Sequence, residues 1–138
     1  MLVFLGTAPI AWQSLKQKIV ALSTCKAEYI ATAMAACQAV WLHRLLGELI
    51  DKQAYPPALM VDNQATIALA KNPIYHDQSK HIDIKFHFVR DCIDGGQIVI
   101  KFVETGRQLA DILTKSLGRL WFMELKKMIG MDEVKASG

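Results

Sequence analysis

Three acidic residues lie within or directly beside predicted elements whose other residues are mostly apolar. Glu28 interrupts the apolar face of a predicted helix near its start, Asp62 follows a short apolar run, and Asp111 lies in the first turns of another predicted helix. Burial normally disfavours ionised carboxylates. If the three acids converge, their oxygens suit Mg²⁺ or Mn²⁺, and two ions about 3.5–4 Å apart would promote hydrolysis of a phosphodiester.

Two local explanations compete with a metal site. Asp62 directly precedes Asn63, a residue type that is common at helix N-termini, so both fit the start of a helix. An acid in the first turn of a helix, as Asp111 is, also stabilises the helix dipole. The spacing of the acids therefore leaves open whether they share a metal or serve their own helices.

The periodicity of the apolar residues predicts the elements that carry these acids. Steps of three and four residues are typical of amphipathic helices, and short apolar runs between turn residues are typical of strands. The predicted elements are, in chain order, a hairpin of extended segments at 2–5 and 10–12, a helix over 24–50, a strand at 58–61, helices over 64–71 and 82–93, a strand over 97–104, and helices over 108–115 and 120–129.

The run at 58–61 is continuously apolar, which predicts a strand buried on both faces. The segment over 82–93 fits both the helical and the strand period, and its length and the Gly95-Gly96 stop favour a helix. The element order predicts an α/β fold with a mixed central sheet flanked by helices.

Composition places the chain in a broad class. Its 138 residues are 52% hydrophobic and 21% charged, which indicates one globular domain, expected over 1–131, with a polar tail over 132–138. The formal charge of +3 is compatible with a polyanionic partner without requiring one. No apolar run is long enough to span a membrane and no targeting signal is evident, so we expect a soluble, intracellular protein.

The sequence closely resembles the ribonuclease H domain of copia-type retrotransposon Pol polyproteins, from about residue 3 to 131. The matching stretches are Val3-Phe-Leu-Gly, Ile10-Ala-Trp-Gln-Ser-Leu-Lys-Gln, Val20-Ala-Leu-Ser-Thr-Cys-Lys-Ala-Glu-Tyr29, Trp41-Leu, Val61-Asp-Asn-Gln-Ala-Thr-Ile-Ala-Leu-Ala-Lys-Asn-Pro73, Ser79-Lys-His-Ile-Asp-Ile84 and Gln108-Leu-Ala-Asp-Ile-Leu-Thr-Lys115. The resemblance implies a ribonuclease H-like fold that cuts the RNA strand of RNA/DNA hybrids with four carboxylates and two Mg²⁺ or Mn²⁺ ions.

The resemblance also implies roles for individual residues. Glu28, Asp62 and Asp111 match three of the four catalytic carboxylates, and all three would be metal ligands. The expected substrate contacts come from two residues beside Asp62, two in the family's Lys-His-Ile-Asp motif and one in the loop before Asp111. These substrate-binding residues are Asn63, Gln64, Lys80, His81 and Arg107.

The chain departs from the family pattern at its start. In the family, a first strand that carries the fourth carboxylate precedes the Phe-Leu-Gly strand, whereas here no acid precedes Glu28. We therefore expect a first strand to be missing and this chain alone to be a weak or inactive nuclease, because the ligands of a metal site act as a unit.

Two functions remain as hypotheses. The first is a hybrid-cleaving endonuclease that works beside the reverse transcriptase portion of its parent polyprotein, in a cytoplasmic retroelement particle or in the nucleus. The second is a catalytically dead, degenerate or co-opted fragment that acts as a nucleic-acid-binding or structural module beside a reverse transcriptase. Hybrid cleavage discriminates between them.

Overall fold

A computed structural model describes residues 1–16, 24–51, 54–71 and 80–131, without the side chains of residues 25 and 80–83. The chain has mixed α/β structure and divides into two units, one of Gln17–Arg107 and one of Met1–Lys16 with Gln108–Gly138. The elements are β1 (Leu2–Leu5), β2 (Ala8–Trp12), α1 (Thr24–Ile50), β3 (Ala58–Val61), α2 (Gln64–Lys71), α3 (Lys80–Asp94), β4 (Val99–Phe102), a 3₁₀ turn (Thr105–Arg107), α4 (Asp111–Thr114) and α5 (Arg119–Met128).

The core of the larger unit forms where α1, α2 and α3 pack around a parallel pair of strands. Strand β3 pairs with β4 in a register that places Ala58 beside Val99 and Val61 beside Phe102. Small side chains such as Ala36, which is fully buried, let the helices approach closely. The buried core residues are Tyr29, Ala33, Ala36, Val40, Val61, Ala70, Phe86, Val89, Cys92, Ile98 and Ile100.

Tyr29 of α1 is the largest of the fully buried side chains. Its ring stacks on Phe86 of α3 with a centroid distance of 4.0 Å, and its hydroxyl donates to the Phe86 carbonyl oxygen at 3.4 Å. Burial raises the pKa of the Tyr29 phenol to about 12, and the Arg90 guanidinium opposes this shift. The phenol therefore stays neutral and joins two helices of the core.

The helix predicted over 82–93 is confirmed as α3, and so is its glycine stop. Gly96 has a φ of 67°, a left-handed conformation that favours glycine. The backbone N–H of Gly96 donates to the Ile93 carbonyl at 3.0 Å, and that of Gln97 donates to the Cys92 carbonyl at 2.8 Å. These bonds satisfy carbonyls that the end of a helix leaves exposed.

The smaller unit contains the predicted hairpin and the last two helices. Strands β1 and β2 pair antiparallel, and Gly6 in the turn has a φ of 63°. Helix α5 buries Leu125 completely and is followed by the buried Ile129. The predicted tail over 132–138 lies outside the described residues.

Three expectations about local structure need correction. Strand β3 is not buried on both faces, because Met60 is 49% exposed while Val61 is buried. The helix predicted over 108–115 is only the four residues of α4, because a 3₁₀ turn and a further turn precede it. The strands of the described residues form two separate two-stranded sheets rather than one mixed sheet, since β1 pairs with β2 and β3 with β4.

No helix in the described ranges combines the length and the hydropathy that a membrane span requires.

Candidate functional site

Glu28 lies in the second turn of α1 and is half-buried. Its carboxylate Oε2 is 3.5 Å from the hydroxyl oxygen of Thr66, which is completely buried in the first turn of α2. A contact at this distance is a weak hydrogen bond. It nevertheless places the acid of α1 at the N-terminal end of α2.

Asp62 lies at that same end of α2. It follows β3 immediately, is half-buried, and precedes Asn63, the residue that caps the helix. The side-chain oxygen of Asn63 accepts from the backbone N–H of Ala65 at 2.8 Å and from that of Thr66 at 3.2 Å. The cap thus orders the turn that joins Asp62 to Thr66. Glu28 and Asp62 both lie at the N-terminal end of α2.

Thr66 is a site residue that the sequence analysis missed. It stands three positions after the Asn63 cap and is fully buried, and its backbone N–H and its hydroxyl bond to Asn63 and Glu28 respectively. Threonine is a residue type that is mostly exposed, so nothing in the sequence indicated that Thr66 is buried. Its partner Glu28 is 38 residues away and was not predictable from local pattern.

Asp111 belongs to the other unit, where it is the first residue of α4. It is 8% exposed, and its Oδ2 forms an ion pair with the Lys115 ammonium at 2.9 Å. A buried carboxylate needs such a counter-charge. The expectation that Asp111 lies in the first turn of a helix is confirmed, although that helix is shorter than predicted.

The convergence of all three acids stays a prediction, because Glu28 and Asp62 lie in one unit and Asp111 in the other. Within the described part of the larger unit, no three His, Cys, Asp or Glu side chains form a group that could hold a metal. The donor chemistry fits the expected ions, since carboxylate oxygens are the ligands that Mg²⁺ prefers. At Asp111, the Lys115 ammonium already contacts the carboxylate oxygen that a metal ion would need.

The predicted substrate-binding residues have different environments. Gln64 is exposed in the first turn of α2, and Arg107 is exposed in the 3₁₀ turn, where its backbone N–H donates to the Glu104 carbonyl at 2.7 Å. The side chains of Lys80 and His81 lie outside the described residues. Asn63 uses its side-chain oxygen for capping, and this role leaves its amide NH₂ as a hydrogen-bond donor.

The two roles of Asn63 can be separated by mutation. We expect Asn63→Ala to lower the free energy of unfolding by about 1 kcal/mol, because α2 loses its cap. Asn63→Ser retains a capping oxygen but lacks the amide, so it should unfold like the wild type. Chemical denaturation measures both values, and an Ala variant as stable as the Ser variant would contradict the capping role. Weaker hybrid binding by Asn63→Ser at wild-type stability would assign the amide to the substrate, because this variant lacks the amide but keeps the cap.

No family model matches the chain. No solved structure matches it either.

Curated proteins with similar sequences are large polyproteins of plant transposons. The chain is 38% identical over 136 residues, 99% of its length, to the retrovirus-related Pol polyprotein from transposon RE2 of Arabidopsis thaliana. It is 39% identical over 136 residues to that from transposon RE1 of the same plant, and 39% identical over 132 residues to that from transposon TNT 1-94 of Nicotiana tabacum. These stretches are only 9%, 9% and 10% of the respective relatives. The matches confirm the retroelement part of the resemblance: the chain is homologous to one segment of transposon Pol polyproteins.

Proposed function

We propose that this chain is the ribonuclease H segment of a copia-type Pol polyprotein and has a ribonuclease H-like fold. It would hydrolyse the RNA strand of RNA/DNA hybrids beside the reverse transcriptase portion of its parent. The homology to Pol polyproteins supports the origin. The observation that carries the activity is the contact between Glu28 and Thr66, because it brings two predicted catalytic acids, Glu28 and Asp62, to the same end of α2.

The roles of the acids follow from their chemistry. Glu28, Asp62 and Asp111 would hold two divalent ions, which supply an activated water and stabilise the leaving oxygen when bound. Thr66 orients the Glu28 carboxylate through its hydroxyl. Such supporting hydrogen bonds fix the direction of a ligand's lone pairs and thereby its affinity for metal.

The substrate contacts would divide between phosphate and sugar. The amides of Asn63 and Gln64 have the donors and acceptors that a 2′-hydroxyl requires, and this group distinguishes RNA from DNA. Arg107, exposed in its turn, and the pair Lys80 and His81 carry groups suited to phosphate oxygens.

Cleavage of a labelled RNA/DNA hybrid tests this function. The full 138-residue chain and a longer Pol segment containing it are compared in Mg²⁺ and in Mn²⁺, with chelator as the metal-free control. We expect cleavage by the longer segment and little or none by the chain alone, because the resemblance implies four carboxylates and the chain matches three of them. Absence of hybrid cleavage by both proteins, in Mg²⁺ and in Mn²⁺, would contradict the proposed activity.

The alternative is a structural or nucleic-acid-binding module without catalysis, and one observation favours it. The second half of α1 exposes large apolar side chains at four-residue steps, with Trp41 56%, Leu45 37% and Leu49 73% exposed. An exposed apolar stripe of this kind is typical of a protein interface. Hybrid binding by the longer segment without cleavage in either metal would support this alternative.

A further inference from the structure

The outer face of α1 lies opposite the core of the larger unit and is apolar. From Tyr29 to Leu42 the helix contains no charged residue. Its core side is formed by Ala33, Ala36 and Val40. A helix that is apolar on every side is ordinarily covered on every side, so this face is a site of association. Its exposed large side chains recur at steps of four or seven residues and are Met34, Trp41, Leu45 and Leu49.

Two charged side chains flank this face near the end of α1. Arg44 and Glu48 are both exposed and lie one helical turn apart on the same flank. Within the described ranges, neither of them forms an ion pair. The last turn of a helix disfavours an acid, so Glu48 does not stabilise its own helix. Both charges are therefore available to a partner.

We propose that the outer face of α1 packs antiparallel against the same face of a second copy of this chain, around a two-fold axis at the level of Leu46. The pairing is independent of hybrid cleavage, since none of its residues belongs to the candidate site.

The charges select this partner and its direction. In a two-fold antiparallel pair of helices, each flank of one helix meets the same flank of the other. Arg44 of one copy then faces Glu48 of the second copy, and the symmetry makes this contact twice. A parallel pair would instead bring the charged flank against the opposite flank, which carries Leu42 and Leu46.

The same register interleaves the apolar side chains. When Arg44 is level with Glu48 of the second copy, Leu45 is level with residue 47, midway between Leu45 and Leu49 of that copy. Side chains of the two copies then alternate about every 3 Å along the contact, because an α-helix rises about 1.5 Å per residue. Packing of such four-residue ridges into each other's grooves is the commonest way in which helices associate in globular proteins.

Sedimentation equilibrium of the full chain measures the dimer and its charge pairs. We expect a concentration-dependent dimer that Arg44→Glu and Glu48→Arg each weaken about 5-fold to 30-fold, because two attractive contacts become repulsive. An equimolar mixture of these two variants should form a heterodimer as tight as the wild-type dimer, since every contact again joins opposite charges. Arg119→Glu, the same change at an exposed residue of α5, should dimerise like the wild type.

Leu45→Glu tests the apolar part of the contact. It places two carboxylates beside the two-fold axis, so it should abolish the dimer at concentrations where the wild type is dimeric. The matched control is Leu120→Glu, since Leu120 is 84% exposed in the other unit, and this variant should dimerise like the wild type. Circular dichroism verifies that each variant is folded.

A chain that is monomeric at every concentration, or a dimer that tolerates Leu45→Glu, would overturn the proposal. A dimer that Leu45→Glu disrupts, but that the mixture of the two charge variants does not restore, would overturn the antiparallel register. Binding of a monomeric chain to neighbouring Pol segments, supplied as separate chains and lost in Leu45→Glu, would assign the outer face of α1 to another part of the parent polyprotein instead.

Discussion

Asp62→Asn should reduce metal-dependent hybrid cleavage at least about 100-fold in a Pol segment that contains this chain. Asparagine preserves the shape of the side chain and one oxygen, but it removes the negative charge that a divalent ion requires. Asp62 follows β3 directly and lies at the end of α2 that Glu28 approaches through Thr66. The loss of one ligand disables the whole site because the metal ions act together.

The matched control for this variant is Asp94→Asn. Asp94 is exposed at the end of α3, and the same chemical change there removes one charge without touching the proposed site. We expect its initial rate of cleavage to equal that of the wild type. Asp62→Asn activity above a tenth of the wild-type rate, measured in the same assay, would remove Asp62 from the catalytic residues.

Tyr29→Ala should lower the free energy of unfolding by about 3–5 kcal/mol. The variant loses a ring that is 1% exposed and stacks on Phe86 at 4.0 Å, and it leaves a cavity between α1 and α3. A change of this size is a large part of the stability of an ordinary domain, about 5–15 kcal/mol. Chemical denaturation followed by circular dichroism measures it.

Two controls identify the cause of this loss. Tyr55 is 95% exposed, so Tyr55→Ala should change stability by less than about 0.5 kcal/mol. Tyr29→Phe keeps the ring and removes only the long bond to the Phe86 carbonyl, which should cost about 1 kcal/mol or less. Equal losses for Tyr29→Phe and Tyr29→Ala would show that the hydroxyl, and not the stacked ring, stabilises this interface.

The Tyr29 stack also bears on the candidate site. Glu28 precedes Tyr29 on α1, so the packing of that ring against α3 holds the turn of α1 from which the Glu28 carboxylate reaches Thr66. A variant that loosens this turn should therefore weaken the site even though it removes no ligand. Core packing and catalytic geometry are coupled through adjacent residues of one helix.

The sequence by itself determined the local elements. The hairpin, α1, β3, α2 and α3 occur where the apolar period and the turn residues predicted them. The cap at Asn63 and the stop at Gly96 were also predictable, because each depends on backbone groups a few residues away. Such features are decided by interactions within one turn or one strand.

Tertiary structure decided the burial and the pairing of these elements. The exposure of Met60 depends on which neighbours cover β3, and a continuous apolar run carries no such information. The contact of Glu28 with Thr66 joins residues 38 positions apart and exists because α1 packs on α2. The pairing of Asp111 with Lys115 had the right helical spacing in the sequence, but only the burial of the carboxylate shows that the ammonium is its counter-charge. Which side chains meet is set by packing, since periodicity specifies a face and not the partner that covers it.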